Sequence, residues 1–333
     1  MTVTMNDIAK RVRVSRATVS YVLSGRDDAS ISEATKRQVR AAAQEMGYRP
    51  NRMARALIKG RTQMIELLVH DFHPAFYSYM IHTVRKVIEQ SEYHLNVAQV
   101  TAETSPLEAS YWPVDGVLAF DCAAFVDKLP DSVVESVPIV SFGASYSTRV
   151  DHVGVDLAVG ARAVLRHLIG IGRRRIAYLV AECDCQAGNA RYDAYINCLK
   201  DAGFEPLFVN FNEDRTAYQR KAAREAVLER FSSPSGIDAL FCFSDELAIG
   251  AHMALRQLGV SIPGDVALTG FDGIDDLECV DPPITAIAQP YEALAEIAWT
   301  FLNKRLENKD LPRQSTVLTP ELVIRGSTSL ASG

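Results

Sequence analysis

From residue 64 onward, short apolar runs alternate with amphipathic helical segments, and this alternation leaves few folds open. The runs "MIELLV", "HLNVAQV", "DGVLAF" and "PIVSF" read as buried parallel strands, since a strand covered on both faces is apolar throughout. Between them, "FYSYMIHTVRKVIEQ" and "FVDKLPDSVVES" carry helical periodicity. A second series follows, with strands at "RRIAYLV", "PLFVN", "DALFCF" and "VALTGF" and helices near 187–202, 215–231 and 244–259. Two such series predict an α/β fold with two doubly wound parallel sheets, each offering ligand-binding positions at the carboxyl ends of its strands.

The first sixty residues follow a different pattern. Residues 1–61 hold 13 Lys and Arg against 5 Asp and Glu, whereas 62–333 hold 22 against 36. A basic head on an acidic body is the electrostatic footprint of a chain that meets nucleic acid at one end. In "MNDIAKRV", Ile8, Ala9 and Val12 form an apolar face and Asn6 is a candidate cap. The short link Arg13-Val14 leads into "SRATVSYVLSG", where Val19, Val22 and Leu23 make a stripe, Ser15 caps and Gly25 terminates. "SEATKRQVRAAAQEMGYRP" reads as a third helix, with Ser32 as cap, Thr35, Val39, Ala42, Ala43 and Met46 inward, Gly47 as terminator and Pro50 beyond. Three such helices share a small core and make a helix-turn-helix whose second helix can enter a major groove. There Arg16 can donate twice to guanine, Ala17 presents a methyl to thymine, and Tyr21 reaches a base edge or a phosphate.

Composition is that of a soluble globular protein, with 48% apolar and 23% charged residues, and 333 residues suggest two or three domains. No apolar run has membrane-span length and no signal-peptide core precedes the head, so a cytoplasmic, membrane-free location is expected. The six cysteines are scattered, as in a reducing compartment. Cys183-Asp184-Cys185 and His70-Asp71-Phe72-His73 invite a metal reading, but neither has a second ligand pair at zinc-site spacing, so no metal or cofactor is expected.

"MNDIAKRVRVSRATVSYVLSG" and "YRPNRMARALIKGRT" resemble the headpiece and hinge of the lactose/galactose repressor (LacI/GalR) family. The loop "SGRDDASIS" runs long for that family. The resemblance implies a helix-turn-helix domain over 1–49, a hinge over 50–61 and a periplasmic-binding-protein-like sensor over 62–333. Within the sensor it implies an N-subdomain near 62–160 and 292–322 and a C-subdomain near 161–291 and 323–333. It further implies backbone contacts to DNA from Ser15, Thr18, Ser20, Ser24, Tyr48 and Asn51. Ala54 and Leu57 would act in the minor groove, with Leu57 wedged between base steps to kink the duplex. The segment "TAETSPLEASYWPVDG" is shorter than the family usually has before Asp115.

For the sensor, the resemblance places ligand contacts at Arg191 in "NARYDAY", Asp245 in "CFSDELAIG" and Asp272 in "TGFDGIDD", with Phe76, Tyr77, Asp71 and Phe211 around them. Asp245 could instead simply cap its helix, Arg191 pair with a surface carboxylate, and Phe76 and Phe211 belong to the core. The implied protein is a ligand-responsive, non-enzymatic repressor of sugar or carbohydrate catabolism genes. It would bind roughly palindromic operator DNA as a homodimer or dimer of dimers, with a sugar as its effector. An enzyme or a small-molecule-binding protein with an appended DNA-binding head is the alternative. No Walker A, GxGxxG, GxSxG or HExxH pattern supports the enzyme.

Overall fold

The computed structural model describes residues 3–23, 31–48, 61–101, 103–106, 113–211 and 219–329. Ser24, Asn51, Ala54 and Leu57, the rest of the expected hinge apart from Arg61, and half of the short segment before Asp115 lie outside the described residues. The chain divides into two compact units, Met1–Thr62 and Gln63–Gly333.

The first unit contains α1 (Met5–Val12), α2 (Arg16–Leu23) and α3 (Glu33–Glu45). Ile8, Val19 and Val39, one from each helix, are fully buried together. The helix starts are chemically fixed. Asp7 Oδ2 accepts from the Thr4 N–H at 2.9 Å and from Thr4 Oγ1 at 2.7 Å, so Thr4, not Asn6, caps α1. Asn6 is the second residue inside the helix, two positions past the cap. Arg13 turns the chain with φ 59°, Ser15 Oγ accepts from the Thr18 N–H at 3.0 Å, and Ser32 accepts from Thr35.

The second unit holds two six-stranded sheets. In chain order its elements are β1 (Met64–Val69), α4 (Ala75–Ile88), β2 (His94–Gln99), β3 (Gly116–Phe120), α5 (Ala123–Val126), α6 (Asp131–Ser136), β4 (Ile139–Gly143) and β5 (Asp151–Val155). There follow α7 (Leu157–Gly170), β6 (Ile176–Ala181), α8 (Ala190–Ala202), β7 (Leu207–Phe211), α9 (Gln219–Arg230), β8 (Ala239–Cys242), α10 (Asp245–Gln257) and β9 (Ala267–Asp272). β10 (Thr285–Ala288), α11 (Tyr291–Glu307), β11 (Ser315–Leu318) and β12 (Glu321–Val323) complete it. The sheet orders are β11-β5-β4-β3-β1-β2 and β12-β10-β9-β8-β6-β7. All neighbours are parallel except β10 and β12.

The chain passes between the two sheets after β5, between β10 and α11, and between β11 and β12. The boundaries expected near 160, 291 and 322 fall inside α7, at the start of α11 and inside β12. The helix expected over "FVDKLPDSVVES" is two, α5 and α6, because Pro130 has no N–H with which to continue the first and instead starts the second. Among the described residues no helix is long and apolar enough to cross a membrane.

Candidate functional site

Two surfaces stand out, one in each unit. On α2, Val19 and Val22 face the core while Arg16, Ala17, Ser20 and Tyr21 are exposed, Tyr21 at 41%. Arg16 makes no hydrogen bond or ion pair among the described residues, so its guanidinium is available to a partner. Ser15 and Thr18 hold each other's hydroxyls at 2.9 Å, and Tyr48 is half-buried against the three-helix core.

In the second unit a cavity of about 500 Å³ is lined in large part by residues just beyond the ends of strands of both sheets. His70 and Asp71 follow β1, Asp121 follows β3, Ala144 and Ser145 follow β4, Leu157 follows β5, Asp184 follows β6 and Phe243 follows β8. This is where open α/β sheets bind ligands, because the loops there carry free backbone groups and helix starts. Tyr77 from α4, Asn189, Arg191 and Glu246 complete the polar wall.

Arg191 is held with care. Asn189 Oδ1 accepts from its N–H at 3.1 Å, starting α8. Its Nη1 donates to the Phe243 carbonyl at 2.6 Å. The guanidinium lies 3.7 Å over the Phe243 ring and 4.9 Å from that of Phe271, while its buried Nε has no partner in the structure. A cation fixed on aromatic faces, with its side chain on the cavity wall, is placed to meet an acceptor from outside the chain. Burial pushes the Asp121 carboxyl up, against N–H bonds from Ala144 and Ser145 and the charge of Arg191. For Asp71 burial also works upward, but hydrogen bonds from His73 prevail and hold it below the usual carboxylate range.

Of the residues expected around a ligand, Asp71, Tyr77 and Arg191 line this cavity, and Phe76, Phe211, Asp245 and Asp272 do not. Phe76 turns into the core, against Phe120 at 5.2 Å and Tyr291 at 5.7 Å, since one helical residue away from Tyr77 means a different face. Phe211 packs at the edge of the second core. Asp245, 1% exposed, points back to the sheet. Its Oδ2 accepts from Gly273 N–H at 2.5 Å and Ile274 N–H at 2.8 Å. It is not the helix cap either, because Ser244 Oγ accepts from Leu247. Gly270 makes room for it: a Cβ there would lie 2.3 Å from Asp245 Oδ1. Asp272 is buried behind the wall at φ 139°, its Oδ1 accepting from Gln289 Nε2 at 2.8 Å. Its main-chain carbonyl accepts from Tyr291 Oη at 2.8 Å.

Sequence reasoning missed Asp121, Asn189 and Glu246. Asp121 did carry a signal: an acidic residue at the end of an apolar strand run, where it adopts φ 54°, a conformation Asp tolerates better than most. Cys183 is exposed and Cys185 half-buried just beyond β6. Among the described residues no group of three or more His, Cys, Asp or Glu is placed to hold a metal.

Comparison with known proteins agrees with both units. The family described as bacterial regulatory proteins, lacI family, matches residues 4–51, and the periplasmic binding protein-like domain matches 165–328. The transcriptional regulator GalR of Escherichia coli is 28% identical, over 99% of this chain and 96% of its own. The structure of a LacI-family regulator from Sanguibacter keddieii is 30% identical with a TM-score of 0.67, covering 80% of this chain and 98% of that one. The complex of the regulator CelR with cellobiose is 27% identical with a TM-score of 0.65, covering 98% of this chain and 99% of that one. With helix-turn-helix head and two-sheet sensor in the same order along the chain, the protein belongs to the LacI family of bacterial transcriptional regulators.

Proposed function

We propose that the cleft between the two sheets binds a small sugar or polyol, without turnover, and that its occupancy sets the affinity of the head for operator DNA. Acting in the cytoplasm as a homodimer or dimer of dimers, the protein would repress genes of carbohydrate catabolism from a roughly palindromic operator. The observation that carries this reading is Arg191, a guanidinium stacked on Phe243 on the wall of a cavity whose other polar lining is carboxylates, amides, imidazoles and hydroxyls. Such a wall pairs hydroxyls as donors and acceptors together. The cellobiose complex of the related regulator supports a sugar as the occupant. A thermal-shift screen over neutral mono- and disaccharides tests it. A ligand at 100 times its dissociation constant adds about 2.7 kcal/mol of stability, and a bound sugar recovered chemically altered would instead show an enzyme.

In the head we assign Arg16, Ala17 and Tyr21 to bases and Ser15, Thr18, Ser20 and Tyr48 to the backbone. Ser24 and Asn51 are assigned to the backbone, and Ala54 and Leu57 to the minor groove, from the sequence alone. With 13 cations against 5 anions in residues 1–61, operator affinity should fall steeply with salt. Six or more phosphate contacts per complex predict a loss of about 10³-fold or more between 50 and 200 mM salt. A flat plot of log affinity against log salt would remove the electrostatic basis of the interface.

A further inference from the structure

The two lobes of the sensor, one per sheet, are joined across the cleft by a hydrogen bond of unusual origin. Ala75, the first residue of α4 in the first lobe, donates its N–H to Glu246 Oε1 in the second lobe at 3.1 Å. A helix start leaves N–H groups unpaired and carries partial positive charge, so a carboxylate placed there is favourable. α4 has no cap of its own: Pro74 occupies the cap position, with no side-chain hydrogen bond. Glu246 therefore supplies from one lobe the acceptor that the other lacks.

The carboxylate is held in place from behind. Arg220 Nε donates to Glu246 Oε2, and Arg220 Nη2 donates to Glu246 Oε1 at 3.1 Å and to Asp276 at 2.9 Å. Arg220 is itself fixed by the crossing of α9 and α10, where a Cβ at Gly250 would lie 2.3 Å from the Arg220 carbonyl. Glu246 also lies on the walls of two cavities, the cleft and a neighbouring one of about 670 Å³. The bond thus stands in the partition between them, at a place where opening of the lobes must lengthen it.

We propose that Glu246 is a positioning residue, a latch that sets how far the cleft opens and so the operator affinity of the empty protein. Its regulatory meaning rests on reading the cleft as the effector site, but the latch itself is measurable without an effector. The experiment is hydrogen exchange by mass spectrometry on the full-length, effector-free chain, comparing wild type with Glu246→Ala and Glu246→Gln. Glu246→Ala should speed exchange at the start of α4, near residues 75–78, by about fivefold or more, raise the radius of gyration in solution scattering, and shift operator affinity by about fivefold or more. Glu246→Gln keeps an oxygen acceptor for Ala75 and should restore much of the protection. Exchange at α4 that matches wild type in an otherwise folded Ala variant overturns the latch. Faster exchange with unaltered operator affinity overturns its coupling to DNA. If the Ala variant exchanges everywhere, as an unfolded chain does, Arg220→Met takes its place, since it frees Glu246 without removing it; unchanged exchange at α4 there overturns the proposal. A sugar screen that finds no ligand leaves these measurements intact, so the two readings fail separately.

Discussion

Asp245→Ala is expected to destabilise the sensor unit by about 2–4 kcal/mol, from the loss of two backbone partners at about 1–3 kcal/mol each. The Gly273 and Ile274 N–H groups both donate to Asp245 Oδ2, and Ile274 is 3% exposed, so water does not readily replace the carboxylate. Part of the loss is offset, because the substitution also removes an ionisable group from a buried site beside Asp272. Burial pushes both carboxyls up, and the charge of Asp272 pushes Asp245 further. The folded protein therefore holds protons there that the unfolded chain releases above the ordinary carboxylate range, near pH 4. The pair's contribution to stability is full below that range and is lost as pH rises. Asp245→Asn retains an acceptor oxygen without the charge, so its stability should fall less than that of wild type between about pH 4 and 8. Denaturant unfolding of the three proteins across that range is the measurement. An Asp245→Ala protein with wild-type stability that no longer responded to effector would return the carboxylate to the ligand.

Arg16→Ala is the second large effect, and it falls on DNA rather than on folding. Arg16 is the first residue of α2, directly after the Ser15 cap, and its side chain is exposed. A bidentate arginine–guanine contact is worth about 1–3 kcal/mol of discrimination. A dimer on two half-sites loses it twice, which amounts to about 2–6 kcal/mol, while thermal stability stays near wild type. Binding-site selection should show one base pair per half-site becoming degenerate. Base preferences identical to wild type would mean that Arg16 does not read a base.

Much of the architecture was legible because burial on both faces leaves an unambiguous pattern. β1, β3, β4, β6 and β9 are apolar runs with almost every residue buried. β11 and β12 are three or four residues long and alternate between exposed and half-buried positions, so nothing in their composition separates them from loop. Within the site the limit was rotational. Asp245 and Glu246 are neighbours in the first turn of α10, about 100° apart around the axis, and only the packing of that helix against β9 decides which one faces the cleft. The same holds for Phe76 and Tyr77 on α4. Arg191 escaped the ambiguity because its long side chain reaches the wall from the first turn of α8.

The closing strands have a consequence for how the protein is made. β11 adds a parallel edge to β5 and β12 an antiparallel edge to β10, and both come from residues 315–323, after every other strand has been laid down. A nascent chain that has emerged only as far as α11 carries, among the described residues, ten strands in two sheets with bare edges at β5 and β10. Exposed edges of that kind pair readily with other chains. Each lobe must therefore wait on the same late segment, and the ribosome delivers the two completed sheets almost together rather than one after the other.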